Sequence, residues 1–204
     1  MAVKRRMGPE ISGTRTVLID AVEAVMREDG YGALSARSVA RRAGLKYQIV
    51  FYYFETMDDL LLTSYRRRTQ TVLERTEAAL HSRRPLHAIW AASSDPFDAA
   101  LSLEYIALSN HNPLIRSETI AFGERLRRMV ADKLSRLPAT AGLDPGIFTP
   151  IGITLSLSLM GSILGFETAL GISGGHRETK TIAEWCLRQL EPDTRPATAK
   201  GRQA

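Results

Sequence analysis

A chain of 204 residues, 44% apolar and 24% charged, has the make-up of one large or two small globular domains and excludes a low-complexity chain. Its one cysteine, Cys186, excludes an internal disulfide and falls short of a Cys-based metal cluster, which suits a reducing, cytoplasmic compartment. The net charge of +5 is unevenly spread: residues 1–68 hold 12 Lys/Arg against 8 Asp/Glu, 69–191 hold 12 against 13, and 192–204 hold 3 against 1. A basic N-terminal third fits nucleic acid or an anionic membrane surface, and equally a merely soluble basic protein.

The chain opens with "MAVKRRMGPEISG", basic but without the apolar run of a signal peptide, and residues 1–13 read as a flexible leader. Lys4, Arg5 and Arg6 would lie along DNA as an arm or simply aid solubility. Val17, Leu18, Ala21, Val22, Val25 and Met26 then recur with helical spacing, with Thr14 as the expected cap and Gly30 as the stop. After the turn "GYGAL", Ser35 is a good cap for a short helix from Ala36, ended by Gly44. Positions 47–54 follow, an uncharged aromatic run that reads as a buried strand or as a helix. No neighbouring segment alternates as a partner strand would, and the capped helix with its glycine stop favours a helix.

Ala40, Gly44 and Val50 have the small–glycine–branched spacing of a helix-turn-helix unit, in which two short helices touch closely across a tight turn. On the second helix Val50 and Phe54 are i, i+4 neighbours and face inward, while Gln48 and Tyr52 share the other side. Lys46 and Tyr47 lead, at the end that enters the major groove in such motifs. A lysine there reaches a phosphate or a guanine edge, a glutamine pairs with adenine, and tyrosine hydroxyls donate to phosphates.

The stretch "LIDAVEAVMREDGYGALSARSVARRAGLKYQIVFYYFETMDDLL" resembles the DNA-binding region of the TetR (tetracycline-repressor-like) family. The resemblance rests on Gly30-Tyr31 after the first helix, the hydroxyl-capped second helix, Ala43-Gly44-Leu45, the run Phe51-Tyr52-Tyr53-Phe54 and the acidic pair that follows. It covers about a quarter of the chain. It implies that Arg37 reaches a base or phosphate, that Lys46, Tyr47 and Gln48 form the leading edge, and that Phe51, Tyr52 and Tyr53 face phosphates. Three positions depart from the family pattern: Lys46 stands at a usual Ser or Thr cap, Phe51 at a usual Tyr, and Met57 at a usual phosphate-binding Lys. Arg41 and Arg42 either compensate or form a solvated helix face.

Thr56 with Asp59 starts a long helix expected to reach about residue 80. Prolines 85, 96 and 113 punctuate further helices, "LPATAGLDPG" is a loop, and residues 146–166 carry no charge. Glu178 to Leu190 forms one more helix, and 192–204 reads as a disordered tail. The fold is therefore expected to be all-α with about nine helices: a three-helix helix-turn-helix domain over 14–56 joined to a larger helical domain over 57–191.

Residues 146–166 are long enough to span a bilayer and contain Gly161-x-x-x-Gly165, so a membrane-associated dimer is the alternative reading. Their hydroxyls and the lack of aromatic and basic flanks favour a buried helix instead. Thr154, Ser158, Gly161, Ser162 and Gly165 form a small face that, with Ile182 and Trp185, is assigned to a dimer interface in line with the resemblance. Trp90, Phe97, Glu104, Tyr105, Leu108, Phe122, Leu126, Met129 and Met160, together with Phe148, Asn110 and Glu167, are candidates for a ligand pocket; each apolar one is also plausible core.

No catalytic constellation is expected. "GISGGHRET" lacks the GK[ST] of a phosphate loop and the G-x-S-x-G of a nucleophile elbow. His81, His87, His111 and His176 show no metal-binding spacing, and no cofactor is implied. The partners expected are a double-stranded DNA operator, a small-molecule effector and a second copy of the chain, without a membrane.

Overall fold

The computed structural model describes residues 12–94, 96–136, 144 and 146–191, apart from the side chains of 96–98. The leader arm, most of the loop at 137–146 and the tail at 192–204 lie outside the described residues. Within them the chain forms nine α-helices and no strand.

Helix α1 (Gly13–Asp29) buries Leu18, Ile19, Ala21, Val22, Val25 and Met26. Its cap is Ser12, not Thr14: Ser12 is extended and its hydroxyl accepts the Arg15 N–H at 3.1 Å, while Thr14 already lies within the helix. Val17 is 44% exposed and Ile19 takes its place in the buried stripe. Helix α2 (Ala36–Arg42) starts with a reciprocal box, in which Ser35 Oγ accepts from the Ser38 N–H and Ser38 Oγ accepts from the Ser35 N–H. It ends in a Schellman turn: the Leu45 N–H donates to the Ala40 carbonyl and the Gly44 N–H to that of Arg41. Gly44 has φ 67, which a side chain would strain.

The aromatic run is helical, but not one regular helix. Tyr47–Ile49 is a 3-10 turn and α3 is Val50–Tyr53. Lys46 makes no side-chain cap bond, so the tight i to i+3 turn opens the segment, with the Ile49 N–H on the Lys46 carbonyl at 2.9 Å.

Helix α4 (Met57–Leu80) is capped by Thr56, whose hydroxyl accepts the Asp59 N–H at 3.1 Å. Helices α5 (Pro85–Ser93), α6 (Pro96–Ser109), α7 (Pro113–Leu134) and α8 (Pro150–Ala169) each begin on proline, whose missing N–H costs nothing in a first turn. Asn112 caps α7 by accepting from the Leu114 and Ile115 N–H groups. The uncharged stretch is therefore not a helix from residue 146: α8 starts at Pro150 under the Thr149 cap and continues past Phe166 to Ala169. Helix α9 (His176–Leu190) starts two residues before Glu178, after Gly175 at φ 79. His176 is buried there and its Nε2 lies 2.8 Å from Glu167 Oε2.

Two apolar clusters hold the helices together. The first joins α1, α2, Val50 and Phe54 to Leu60, Leu61 and Tyr65 of α4, Leu101, Tyr105 and Leu108 of α6, and Ile115 of α7. The second joins α4, α5, α7, α8 and α9 through Leu80, Leu86, Ile89, Leu134, Leu157 and Leu187, among others. The first cluster runs across position 57 without a break, so the N-terminal helices rest on α6 as well as on each other. By length and composition alone α8 could cross a membrane, with mean hydropathy 1.4. In the fold, however, Ile153, Leu157, Gly161, Leu164 and Gly165 are packed inside the bundle.

Candidate nucleic-acid interface

Burial on one side of the short α3 segment dictates what the other side shows. Val50 and Phe54 are both 0% exposed and lock the segment into the first cluster. Phe54 is also covered by the Arg15 guanidinium from α1, 4.7 Å from the ring centroid, a support that no local sequence pattern announces. With the inner face fixed, Lys46, Tyr47, Gln48 and Tyr52 are exposed. Arg37 of α2 is exposed too, and its guanidinium lies 5.9 Å from the Tyr47 ring centroid. The structure thus brings Arg37 and the head of α3 together on one surface.

Phe51 and Tyr53 are half-buried. Tyr53 packs against the first cluster and meets Tyr52 edge-on at 5.0 Å, so its ring is partly structural. Met57, at the departure from the family pattern, also packs against that cluster. Between Ala36 and Phe54 the chain has Arg37, Arg41, Arg42 and Lys46 and no carboxylate, which makes this face locally positive. Arg42 pairs with Glu28 of α1, so part of its charge is engaged away from the α3 head.

A cavity of about 450 Å³ lies among α4, α5, α6, α7 and α8. Of the pocket candidates, Tyr105, Phe122 and Leu126 line it, with Tyr65, Phe166 and several hydroxyls that were not singled out. Burial pushes the Tyr105 phenol up to about 12, and its hydroxyl shares a 2.9 Å hydrogen bond with Ser64.

The other pocket candidates sit elsewhere, each for a packing reason. Leu108 is in the first cluster, and Trp90 and Met129 pack against the second. Met160 is half-buried outside the lining, and Phe148 is exposed. Asn110 is exposed outside the lining, with its backbone carbonyl accepting from Arg116, and Glu167 is taken by His176. Glu104 turns toward the α1–α2 turn and accepts the Tyr31 N–H at 2.7 Å. The Phe97 side chain lies outside the described residues.

The small face of α8 is used within the chain instead of lying open for a dimer. Thr154, Ser158 and Ser162 line the cavity. Gly161 and Gly165 are buried, and a Cβ on Gly161 would fall 2.8 Å from Ser93 Cβ of α5. Small residues mark a close helix approach, and here the partner is α5 of the same chain. Ile182 and Trp185 of α9 are 59% and 58% exposed, and Leu159 and Ile163 of α8 are exposed as well. Among the described residues no group of three His, Cys, Asp or Glu side chains is placed to hold a metal.

With this geometry in view, residues 18–63 match the model of the bacterial regulatory proteins of the tetR family. The chain is 27% identical over 152 residues to the HTH-type transcriptional regulator CymR of Pseudomonas putida, covering 71% of this chain and 75% of that one. Its fold is similar to that of a Saccharomonospora viridis protein solved in complex with choline, with TM-score 0.73 and 19% identity over 87% of this chain and 97% of that one. It is also similar to the transcriptional regulator FadR of Bacillus subtilis in complex with stearoyl-CoA, with TM-score 0.63 and 15% identity over 87% and 97%.

Proposed function

We propose that this chain, whose residues 18–63 match the model of the bacterial regulatory proteins of the tetR family, is a member of that family and a cytoplasmic, homodimeric repressor that a small molecule releases from a palindromic operator. One observation carries the reading: Lys46, Tyr47, Gln48 and Tyr52 stand exposed on a segment locked from behind by Val50 and Phe54. In this reading Gln48 reads a base edge, Lys46 and Arg37 hold phosphates or guanine, and Tyr52 donates to a phosphate. Phe51 offers no hydroxyl, and Tyr53 contributes from a half-buried position. Two copies joined through α8 and α9 would set two such heads on successive half-sites. The cavity supports an effector, because Tyr105, Phe122 and Leu126 give it apolar walls and its hydroxyls give it orienting groups. The relatives solved with choline and with stearoyl-CoA make such binding reasonable for this fold. An effector would favour the dimer state with mis-spaced heads and lower operator affinity by a coupling free energy.

The test is duplex binding by fluorescence anisotropy, with DNA from upstream of the protein's own coding sequence. Affinity should fall steeply with salt through counterion release. Gln48→Ala should cost about 10-fold on the preferred site and little elsewhere, for a lost base pair contact of roughly 1–3 kcal/mol. Tyr52→Phe should weaken all sequences alike by about 5-fold, for one lost phosphate hydrogen bond of roughly 1 kcal/mol. If both variants bind like the parent, the placement of this segment on DNA is wrong.

A further inference from the structure

Helix α6 works on two faces. Ala99, Ser102, Tyr105 and Ile106 line the cavity. Leu101 and Leu108 are buried in the cluster that contains Leu18, Val22 and Val39 of the N-terminal helices. Glu104 shares that second side, and its carboxylate accepts the backbone N–H of Tyr31 at 2.7 Å, in the turn between α1 and α2. This is a charge-assisted bond to a donor at the very end of α1, where the Gly30 N–H takes the Met26 carbonyl. Gly30 has φ 79 and lies against the same carboxylate: a Cβ there would sit 3.6 Å from Oε2. The Tyr31 ring also stacks on His111 beyond the end of α6, with centroids 6.3 Å apart. The α1–α2 turn is therefore held by α6 and the turn that follows it, and it leads directly into Ser35 and α2.

We propose that Glu104 is a positioning residue that ties occupancy of the cavity to the placement of the DNA-reading head. Tyr105 and Ser102, its helical neighbours, meet whatever fills the cavity. A helix moves as a rod, so displacing them displaces Glu104. A hydrogen bond of 2.7 Å tolerates less than an ångström of extension before it weakens steeply. The turn then either follows α6 or is released from it, and in both cases α2 and α3 lose their set position. The inference rests on the reading of the chain as a ligand-released DNA-binding protein.

The test replaces the effector with a side chain. Gly123 lines the cavity from α7, and a Cβ added there meets nothing within 4 Å, so Gly123→Leu fills the space from inside and suits a helix interior. The probe is duplex DNA selected from a random pool by the wild-type protein. Gly123→Leu should weaken binding about 10-fold in the wild type, within the usual range of allosteric coupling. The same loss should appear in Glu104→Gln, whose amide oxygen still accepts the Tyr31 N–H. In Glu104→Ala it should shrink to less than about 2-fold, because the link is gone. Glu104→Met, of similar length without an acceptor, replaces Glu104→Ala if the latter does not fold, as judged by thermal melting. Equal losses in all backgrounds, or no loss in the wild type, would overturn the proposal. A wild-type chain that selects no duplex overturns the DNA-binding reading itself, and the inference with it.

Discussion

At the scale of single residues, the inward pair was legible because i, i+4 spacing and burial are one statement: Val50 and Phe54 are the two fully buried residues of their segment. Tyr105 was legible only as a large apolar residue. Its hydroxyl needs Ser64, 41 positions away in the chain, and no local pattern reveals that. Burial raises its pKa from 10.0 to about 12, so the folded chain holds the proton more tightly than the unfolded one. The stability this group contributes is whole below pH 10 and is lost as pH rises toward 12, up to about 2–3 kcal/mol for a shift of this size. Burial raises Tyr65 as well, so the two share that alkaline decline. Tyr105→Phe should flatten the fall in urea-unfolding stability over this range by about half or more, by the same linkage. An undiminished fall would mean that the Tyr105 hydroxyl is not shielded from water.

At the scale of elements, the starts and stops were readable wherever their chemistry is local. Ser35, Gly44, Thr56 and Pro113 each act within a few residues of themselves, and each does what its type predicts. Helix α5 shows the contrary case. Arg84 makes no side-chain cap, and the Leu86 and His87 N–H groups donate instead to the Glu191 carboxylate at 2.8 and 3.2 Å. The His87 ring adds a contact to the same carboxylate at 2.9 Å. Glu191 is only 9% exposed, so removing it leaves buried donors unsatisfied. Glu191→Ala should lower unfolding stability by about 2–3 kcal/mol, while Glu191→Gln, which keeps only one of the two acceptor oxygens, should lose less than the alanine variant but not match the parent. The midpoint of urea denaturation distinguishes them, and an unchanged midpoint in the alanine variant would show that α5 is held by apolar packing alone.

At the scale of the whole molecule, composition and pattern were enough for an all-helical chain with its short capped helices near the N-terminus. They were not enough to say which helix faces meet another copy. Small residues at Gly161 and Gly165 announce close approach, but only the assembled bundle shows that α5 is the neighbour. If α8 and α9 form the two-fold interface, the exposed Ile163, Ile182 and Trp185 are its anchors. Trp185→Glu would then place two charges near one axis, with burial penalties of several kcal/mol. Sedimentation velocity at micromolar protein should find the variant monomeric, with operator affinity reduced at least about 100-fold as the second head is lost. A variant that stays dimeric excludes this face.

Ribosomes make the chain from its N-terminus, and the fold does not close in that order. The core behind α3 includes Leu101, Tyr105, Leu108 and Ile115, so that segment lacks its full support until α6 and the start of α7 have been synthesised. The start of α5 waits longer still, for Glu191, more than 100 residues downstream. Long-range closures of this kind are slow and leave apolar surface open meanwhile. On the proposed function, a stalled or truncated product would therefore carry the residues assigned to DNA without the support that aims them, and only a finished chain would compete for an operator.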